Sequence, residues 1–156
     1  MKTLILYATK HGAAKEIAGR IAKRIPGAEV YDLKSGGIPP VSQFDCIIIG
    51  SSIYVGAIHK EAKAFLEGNA DSLRNKRLGL FLSGLQDSEE KTSFENNFPP
   101  DVLQSAAAKS FIGGVFDPKK AGMMSRFIMK VIAKQSGYTS TISDAKIGQF
   151  AEAMKR

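Results

Sequence analysis

Phe44-Asp45-Cys46-Ile47-Ile48-Ile49-Gly50 is almost continuously apolar and runs into Ser51-Ser52-Ile53-Tyr54-Val55-Gly56. The run is too short for a helix by itself, and it follows a turn-rich segment, so it reads as a strand. A second run of the same kind, residues 3 to 8, ends in the polar, glycine-containing Thr9-Lys10-His11-Gly12 and reads as a strand buried on both faces. Between the two, Ala14, Ile17, Ala18, Ile21, Ala22 and Ile25 recur at three- and four-residue steps, while Lys15, Glu16, Arg20, Lys23 and Arg24 take the other face. This is an amphipathic helix, stopped by Pro26-Gly27. Ala28 to Leu33 gives a short further strand, and Lys34-Ser35-Gly36-Gly37-Ile38-Pro39-Pro40 carries the chain to the run at Phe44.

Beyond Gly56 the alternation continues. A helix is expected from about His59 to Leu73, with Ala62, Phe65, Leu66, Ala70 and Leu73 on one side, and then a strand from Arg77 to Ser83. After Gly84-Leu85-Gln86-Asp87-Ser88, a weaker helical region containing Phe94, Phe98, Val102 and Leu103 is interrupted by Pro99-Pro100. Ala108 to Phe116 supplies a fifth strand, in which Gly113-Gly114 marks a bulge or a close backbone approach. Asp117 to Tyr138 reads as an elaboration, and two C-terminal helices are expected. Strands alternating with helices imply parallel pairing through right-handed crossovers. The fold class is therefore α/β, a three-layer sandwich of a five-stranded parallel sheet with helices on both faces. With no internal repeat, low-complexity tract or linker, residues 1–156 are expected to form one domain.

At 156 residues, 44% hydrophobic and 24% charged, the chain suits one globular core and argues against disorder or a small stapled scaffold. Its 22 basic and 15 acidic residues leave +7, which favours a phosphate, an anionic membrane face or an acidic protein as partner. The single cysteine, Cys46, can form no internal disulfide and reads as an inert buried thiol, which suits a reducing cytoplasm. No stretch approaches the roughly 18 consecutive apolar residues of a spanning helix. Leu4 to Ala8 is too short for a secretory core, so the mature chain is expected to start near Met1.

In an open α/β sheet, ligands bind beyond the carboxyl ends of the strands where the chain order reverses, which singles out three loops. Thr9-Lys10-His11-Gly12-Ala13-Ala14 joins a strand to a helix, so its backbone N–H groups and the helix dipole can hold a phosphate. The same segment also suits a plain strand-to-helix turn with an N-capping hydroxyl. Neither G-x-G-x-x-G nor G-x-x-x-x-G-K-[ST] occurs, which disfavours dinucleotide and P-loop triphosphate sites. A phospho-receiver domain would need carboxylates after the first strand and an aspartate ending the third, where this chain has Ala8-Thr9 and Gly50-Ser51. Ser51-Ser52-Ile53-Tyr54-Val55-Gly56 offers an aromatic and backbone groups to a flat ligand, and Ser83-Gly84-Leu85-Gln86 leads a second wall. A phosphate cradle and two walls describe a slot for a mononucleotide with a planar ring, the shape of flavin mononucleotide (FMN).

At these residues the chain resembles the flavodoxin-like family, through Leu4-Ile5-Leu6-Tyr7-Ala8-Thr9-Lys10-His11-Gly12, the isoleucine-rich third strand and Ser51-Ser52-Ile53-Tyr54-Val55-Gly56. Within that family it is similar to menaquinone-dependent protoporphyrinogen dehydrogenases at Gly50-Ser51-Ser52-Ile53-Tyr54 and, more specifically, at Arg126-Phe127-Ile128-Met129-Lys130-Val131-Ile132-Ala133-Lys134-Gln135-Ser136-Gly137. The resemblance implies strand order 2-1-3-4-5. It also implies non-covalent FMN, with phosphate on Thr9, Lys10, His11, Gly12, Ala13 and Ala14. The isoalloxazine would lie between Ser51, Ser52, Ile53, Tyr54, Val55 and Gly56 on one side and Ser83, Gly84, Leu85 and Gln86 on the other. The flavin would carry the chemistry, with no catalytic side chain, in a haem-biosynthetic oxidoreductase that takes electrons from a small-molecule donor. No metal is expected, since His11 and His59, the only histidines, are too far apart in sequence for a metal motif and no carboxylate cluster accompanies them. Two departures stand out. Ala14 occupies a position where such loops usually carry a hydroxyl, and 117–125 lacks the aromatic and arginine richness of the resembled dehydrogenases.

Lys119, Lys120, Arg126, Lys130 and Lys134 fall within 119–134 without an acidic residue among them, opposite an apolar stripe of Met124, Phe127, Ile128, Val131 and Ile132. Each such cation near an anionic bilayer contributes about 1 kcal/mol, so this segment suggests peripheral contact at the inner face of a membrane, where quinone is dissolved. No base-recognition motif points to nucleic acid. Three functions follow from the sequence. They are an FMN oxidoreductase with a quinone or protein acceptor, a flavodoxin-type one-electron carrier between redox proteins, and a binding module that keeps the fold without flavin.

Overall fold

The computed structural model describes residues 1–116 and 139–156. Five strands, β1 (Thr3–Ala8), β2 (Glu29–Asp32), β3 (Cys46–Ser52), β4 (Arg77–Ser83) and β5 (Ala106–Gly113), form one sheet in the order β2-β1-β3-β4-β5, every pair parallel. All six residues of β1 are buried, as a run apolar on both faces requires in the middle of a sheet.

Alternation along the strands sorts the core into two layers. Leu4, Leu6, Ile47, Ile49, Leu80 and Leu82 face α2 (Lys60–Gly68), α3 (Ala70–Leu73), α4 (Glu90–Asn97) and α5 (Pro100–Ser105). Ile5, Tyr7, Ile48, Phe81 and Ile112 face α1 (Ala13–Arg24) and α6 (Asp144–Lys155). The α1 stripe of Ala14, Ile17, Ala18 and Ile21 meets Ile147, Phe150 and Ala151 of α6 there. Gly50 belongs to this layer because the Phe81 ring lies where its side chain would be. The three-layer α/β architecture and its strand order are those the sequence and its resemblance imply.

Two elements differ in outline from the sequence reading. The helix expected over 59–73 divides into α2 and α3 at Asn69, where the backbone N–H and the side-chain Nδ2 both donate to the Phe65 carbonyl, at 3.1 and 2.9 Å. Asparagine after Gly68 thus caps one helix and lets the chain turn into the next. The fifth strand runs over Ala106–Gly113 rather than Ala108–Phe116. At Gly113, φ is +120°, the chain leaves the sheet, and β6 (Val115–Phe116) pairs antiparallel with β7 (Thr139–Ser140). Of the two expected C-terminal helices, α6 is present, its start capped by Ser143 Oγ, which accepts from the Lys146 N–H at 3.2 Å. The other, with Lys119, Lys120, Arg126, Lys130 and Lys134, lies outside the described residues. No helix among the described residues is long and apolar enough to cross a membrane.

Candidate functional site

The sheet reverses its winding between β1 and β3, and α1 and α2 leave this point on opposite faces. In the loop after β1, Thr9 Oγ1 accepts from the Gly12 N–H at 3.0 Å, and Gly12, at φ +99°, turns the chain into α1. That backbone angle is why a glycine stands there. The N-cap residue, Gly12, has no side chain to cap the first turn of α1, so among the described residues its early N–H groups, which have no intrahelical acceptor, are open to a ligand. Ala13 and Ala14 are buried, and Ala14 packs in the α1 core layer. They can offer a ligand only backbone N–H groups.

The loop after β3 is closed by serines. Ser51 Oγ accepts from the His59 N–H at 3.0 Å and donates to the Ser52 carbonyl at 2.9 Å, while Ser52 Oγ lies 2.8 Å from His59 Nε2. The Ile53 N–H donates to the Ser83 carbonyl at 2.8 Å and so ties this loop to the end of β4. Tyr54 and Ala57 exchange two backbone hydrogen bonds, at 2.9 and 3.1 Å, around a turn in which Val55 (φ +51°) and Gly56 (φ +76°) are both left-handed. A β-branched residue at positive φ is strained, and such strain gathers at functional loops. Tyr54 is 44% and Val55 83% exposed. Among the described residues, only Met1 and Val30 are other large apolar side chains so exposed, so this turn displays an apolar surface at the carboxyl edge.

At the end of β4 the Ser83 hydroxyl is buried and makes no hydrogen bond among the described residues. The Gly84 N–H donates to the Gly113 carbonyl at 3.1 Å, and a Cβ on Gly114 would stand 2.7 Å from the Gly84 carbonyl carbon. The β4 loop and the end of β5 therefore touch through backbone. Leu85 is half-buried and Gln86 exposed, its carbonyl accepting from the Glu89 N–H at 3.2 Å.

Positive charge gathers over the first two loops. The Lys10 ammonium lies 3.8 Å from the centre of the Tyr54 ring, and Lys34 Nζ donates to the Thr9 carbonyl at 2.8 Å. Burial pushes the His59 imidazole below its ordinary pKa, with Lys34, Lys10 and His11 adding to the fall and Glu61 opposing it. Burial and the Asp32 carboxylate push the Tyr7 phenol up. Lys34, His59 and Asn97 are site residues that sequence reasoning missed. The amide of Asn97 holds the loop after β3 from α4, accepting from the Ile58 N–H at 3.0 Å and donating to the Gly56 carbonyl at 3.1 Å. Only the turn-rich setting of Lys34 and the helix-start position of His59 hinted at two of them.

Two surface depressions among the described residues lie elsewhere, one between α1 and α6 and one along the outer face of α1 from Gly12. Both are shallow. The carboxyl edge instead brings together an uncapped helix start, an orphaned buried hydroxyl and an exposed aromatic, and the contacts Lys10–Tyr54 and Ile53–Ser83 join all three expected loops. These groups fit a phosphate-bearing planar ligand such as FMN.

A family model described as a flavodoxin domain matches residues 4–143. The chain is 26% identical over 147 residues to protoporphyrinogen IX dehydrogenase [quinone] of Escherichia coli (strain K12), covering 88% of this chain and 81% of that protein. It is also 26% identical over 159 residues to the flavodoxin of Helicobacter pylori (strain ATCC 700392 / 26695), covering 97% of this chain and 94% of that one. In structure it is similar to the flavodoxin of Streptococcus pneumoniae TIGR4, with a TM-score of 0.61 at 19% identity over 99% of this chain and 98% of the other.

Proposed function

The chain belongs to the flavodoxin-domain family, whose cofactor is FMN, and on that premise we propose that it is an oxidoreductase taking electrons from a porphyrinogen-type donor and passing them to a quinone. Bound FMN supplies the redox chemistry. The chain's own part is to bind and orient. Thr9 and the start of α1 hold the phosphate end, Tyr54 flanks the ring, and the Ser83 hydroxyl with the backbone of Gly84 completes the far wall. No side-chain acid or base is required.

The observation that carries this reading is the similarity to a quinone-linked protoporphyrinogen dehydrogenase across most of both chains. A net charge of +7 supports it, since a donor bearing carboxylates and an acceptor dissolved in an anionic bilayer both favour a basic protein. Membrane contact through Lys119, Lys120, Arg126, Lys130 and Lys134 is part of the proposal. Salt-sensitive sedimentation with anionic vesicles, and none with neutral ones, tests that part. The equal identity to a flavodoxin over nearly the whole chain favours a second reading, an electron carrier between proteins.

One experiment separates them. FMN-reconstituted protein is reduced anaerobically by light and its spectrum followed, then supplied with protoporphyrinogen and menaquinone. Direct passage to two-electron-reduced flavin and sustained turnover by the isolated protein are expected. A long-lived one-electron-reduced flavin without turnover would assign the carrier role. Failure of the folded protein to retain FMN would sink both.

A further inference from the structure

We propose that Lys10 and Lys34 form a side-chain cation pair for the flavin's phosphate monoester, beside a β1–α1 loop whose Ala13 and Ala14 offer no side-chain donor. The inference rests on the FMN reading and adds how this chain tells FMN from its dephosphorylated form, riboflavin. The loop itself is poor in hydroxyl donors. Thr9 is its one hydroxyl residue, Oγ1 accepting from the Gly12 N–H with its O–H left to donate, and Ala13 and Ala14 offer only backbone N–H groups. A phosphate monoester carries about −1.5 to −2 at pH 7, so an ammonium within reach adds a charge-assisted contact to those of the backbone N–H groups.

Two ammonium groups stand beside this loop from different directions. Lys34 follows β2 and reaches across to the Thr9 carbonyl, 2.8 Å away. Its own N–H is held by Asp32 Oδ1 at 2.9 Å, which fixes where its side chain starts. Lys10 leaves the loop itself and rests over the Tyr54 ring, 3.8 Å from its centre. Both lysines are exposed, so each can exchange its present contact for an oxyanion at little cost. Both lysines also act on His59, half-buried beside Ser52, whose pKa is lowered first by burial and then by Lys34, Lys10 and His11, with Glu61 opposing them. The Lys10 contact has a further consequence. A flat ring stacking on that face of Tyr54 displaces the ammonium, and the phosphate gives it a place to go.

The test measures dissociation constants for FMN and for riboflavin by quenching of flavin fluorescence, in the wild type, Lys10→Met and Lys34→Met, at low and high salt. Each substitution is expected to weaken FMN binding about tenfold, the size of one lost charge-assisted contact, and to leave riboflavin within about threefold. For the wild type, FMN affinity should fall with salt while riboflavin affinity stays level. This arm needs no variant to fold. Variants that bind FMN as the wild type does, equal losses for both ligands, or salt-independent FMN binding would each overturn the pair. Failure of the wild type to bind either flavin would overturn the FMN reading itself, a different outcome from all of these.

Discussion

Asn97 on α4 and Gly56 in the loop after β3 are joined by a side-chain hydrogen bond of 3.1 Å, and the same amide accepts from the Ile58 N–H at 3.0 Å and donates to the Ser93 carbonyl at 2.8 Å. One side chain therefore satisfies both donors and the acceptor of its amide while fixing the loop that carries Tyr54. Asn97→Ala removes all three bonds and takes this partner from the part-buried Ile58 N–H and from the Gly56 and Ser93 carbonyls. The expected loss of stability is about 1–3 kcal/mol. FMN affinity should fall by a larger factor than for an exposed alanine substitution elsewhere on α4. Denaturant titration and flavin titration of the same samples check both, and unchanged FMN binding would show that the clamp does not shape the site.

Val55 carries the opposite kind of signal. Its φ of +51° strains a β-branched residue, and at 83% exposure its side chain regains little by packing. Val55→Gly should therefore stabilise the flavin-free protein by about 1 kcal/mol or slightly less, since glycine relieves the strain but adds freedom to the unfolded chain. If the valine packs against the bound ring, the same variant loses FMN affinity. Thermal melts with and without FMN separate the two effects, because the variant's gain should shrink or reverse when flavin is present.

His59 links the site to pH. Its imidazole is held below the ordinary value of 6.5 in the folded chain, so between the folded and unfolded values the unfolded state binds more protons, and stability rises with pH there. The folded protein should keep its full stability above about pH 6.5 and lose some as pH falls through that value. His59→Gln keeps a hydrogen-bonding group near Ser52 and removes the titration. Its melting temperature should fall less than the wild type's between pH 7.5 and pH 5. Parallel falls would mean that other groups dominate the acid limb.

The sheet was legible because burial on both faces leaves a blunt signature: β1 and β3 are apolar runs ended by small polar residues, and α1 shows a clean stripe. The three loops were legible because topology alone places them at the switch point. What escaped were relationships that no local pattern encodes. The bonds of Asn97 to a loop about forty residues earlier, and the reach of Lys34 to Thr9, depend on where α4 and the β2 exit settle in space. The end of β5 was misplaced for a related reason. Gly113-Gly114 marks a bulge or a close backbone approach, and both are present, a register shift beside Gly113 and the backbone of Thr141 and Gly84 pressed close to these glycines, but no local pattern tells that the chain leaves the sheet there.

Gly114 faces the backbone of Gly84, 2.7 Å from where a Cβ would stand, and its N–H and carbonyl are held by Thr141 Oγ1 and the Thr141 N–H at 3.0 and 2.8 Å. Neither side can yield as a flexible side chain would, so Gly114→Ala must push the β4 loop away from β5. An overpacking cost of about 1–3 kcal/mol is expected. Because Gly84 is part of the wall proposed for the isoalloxazine, the displacement should also shift the absorption maxima of bound FMN. Gly19→Ala, on the half-exposed part of α1 where a Cβ meets nothing, serves as the control and should be neutral or slightly stabilising with an unchanged spectrum. A Gly114→Ala protein that loses stability yet keeps the wild-type flavin spectrum would place the ring away from Gly84.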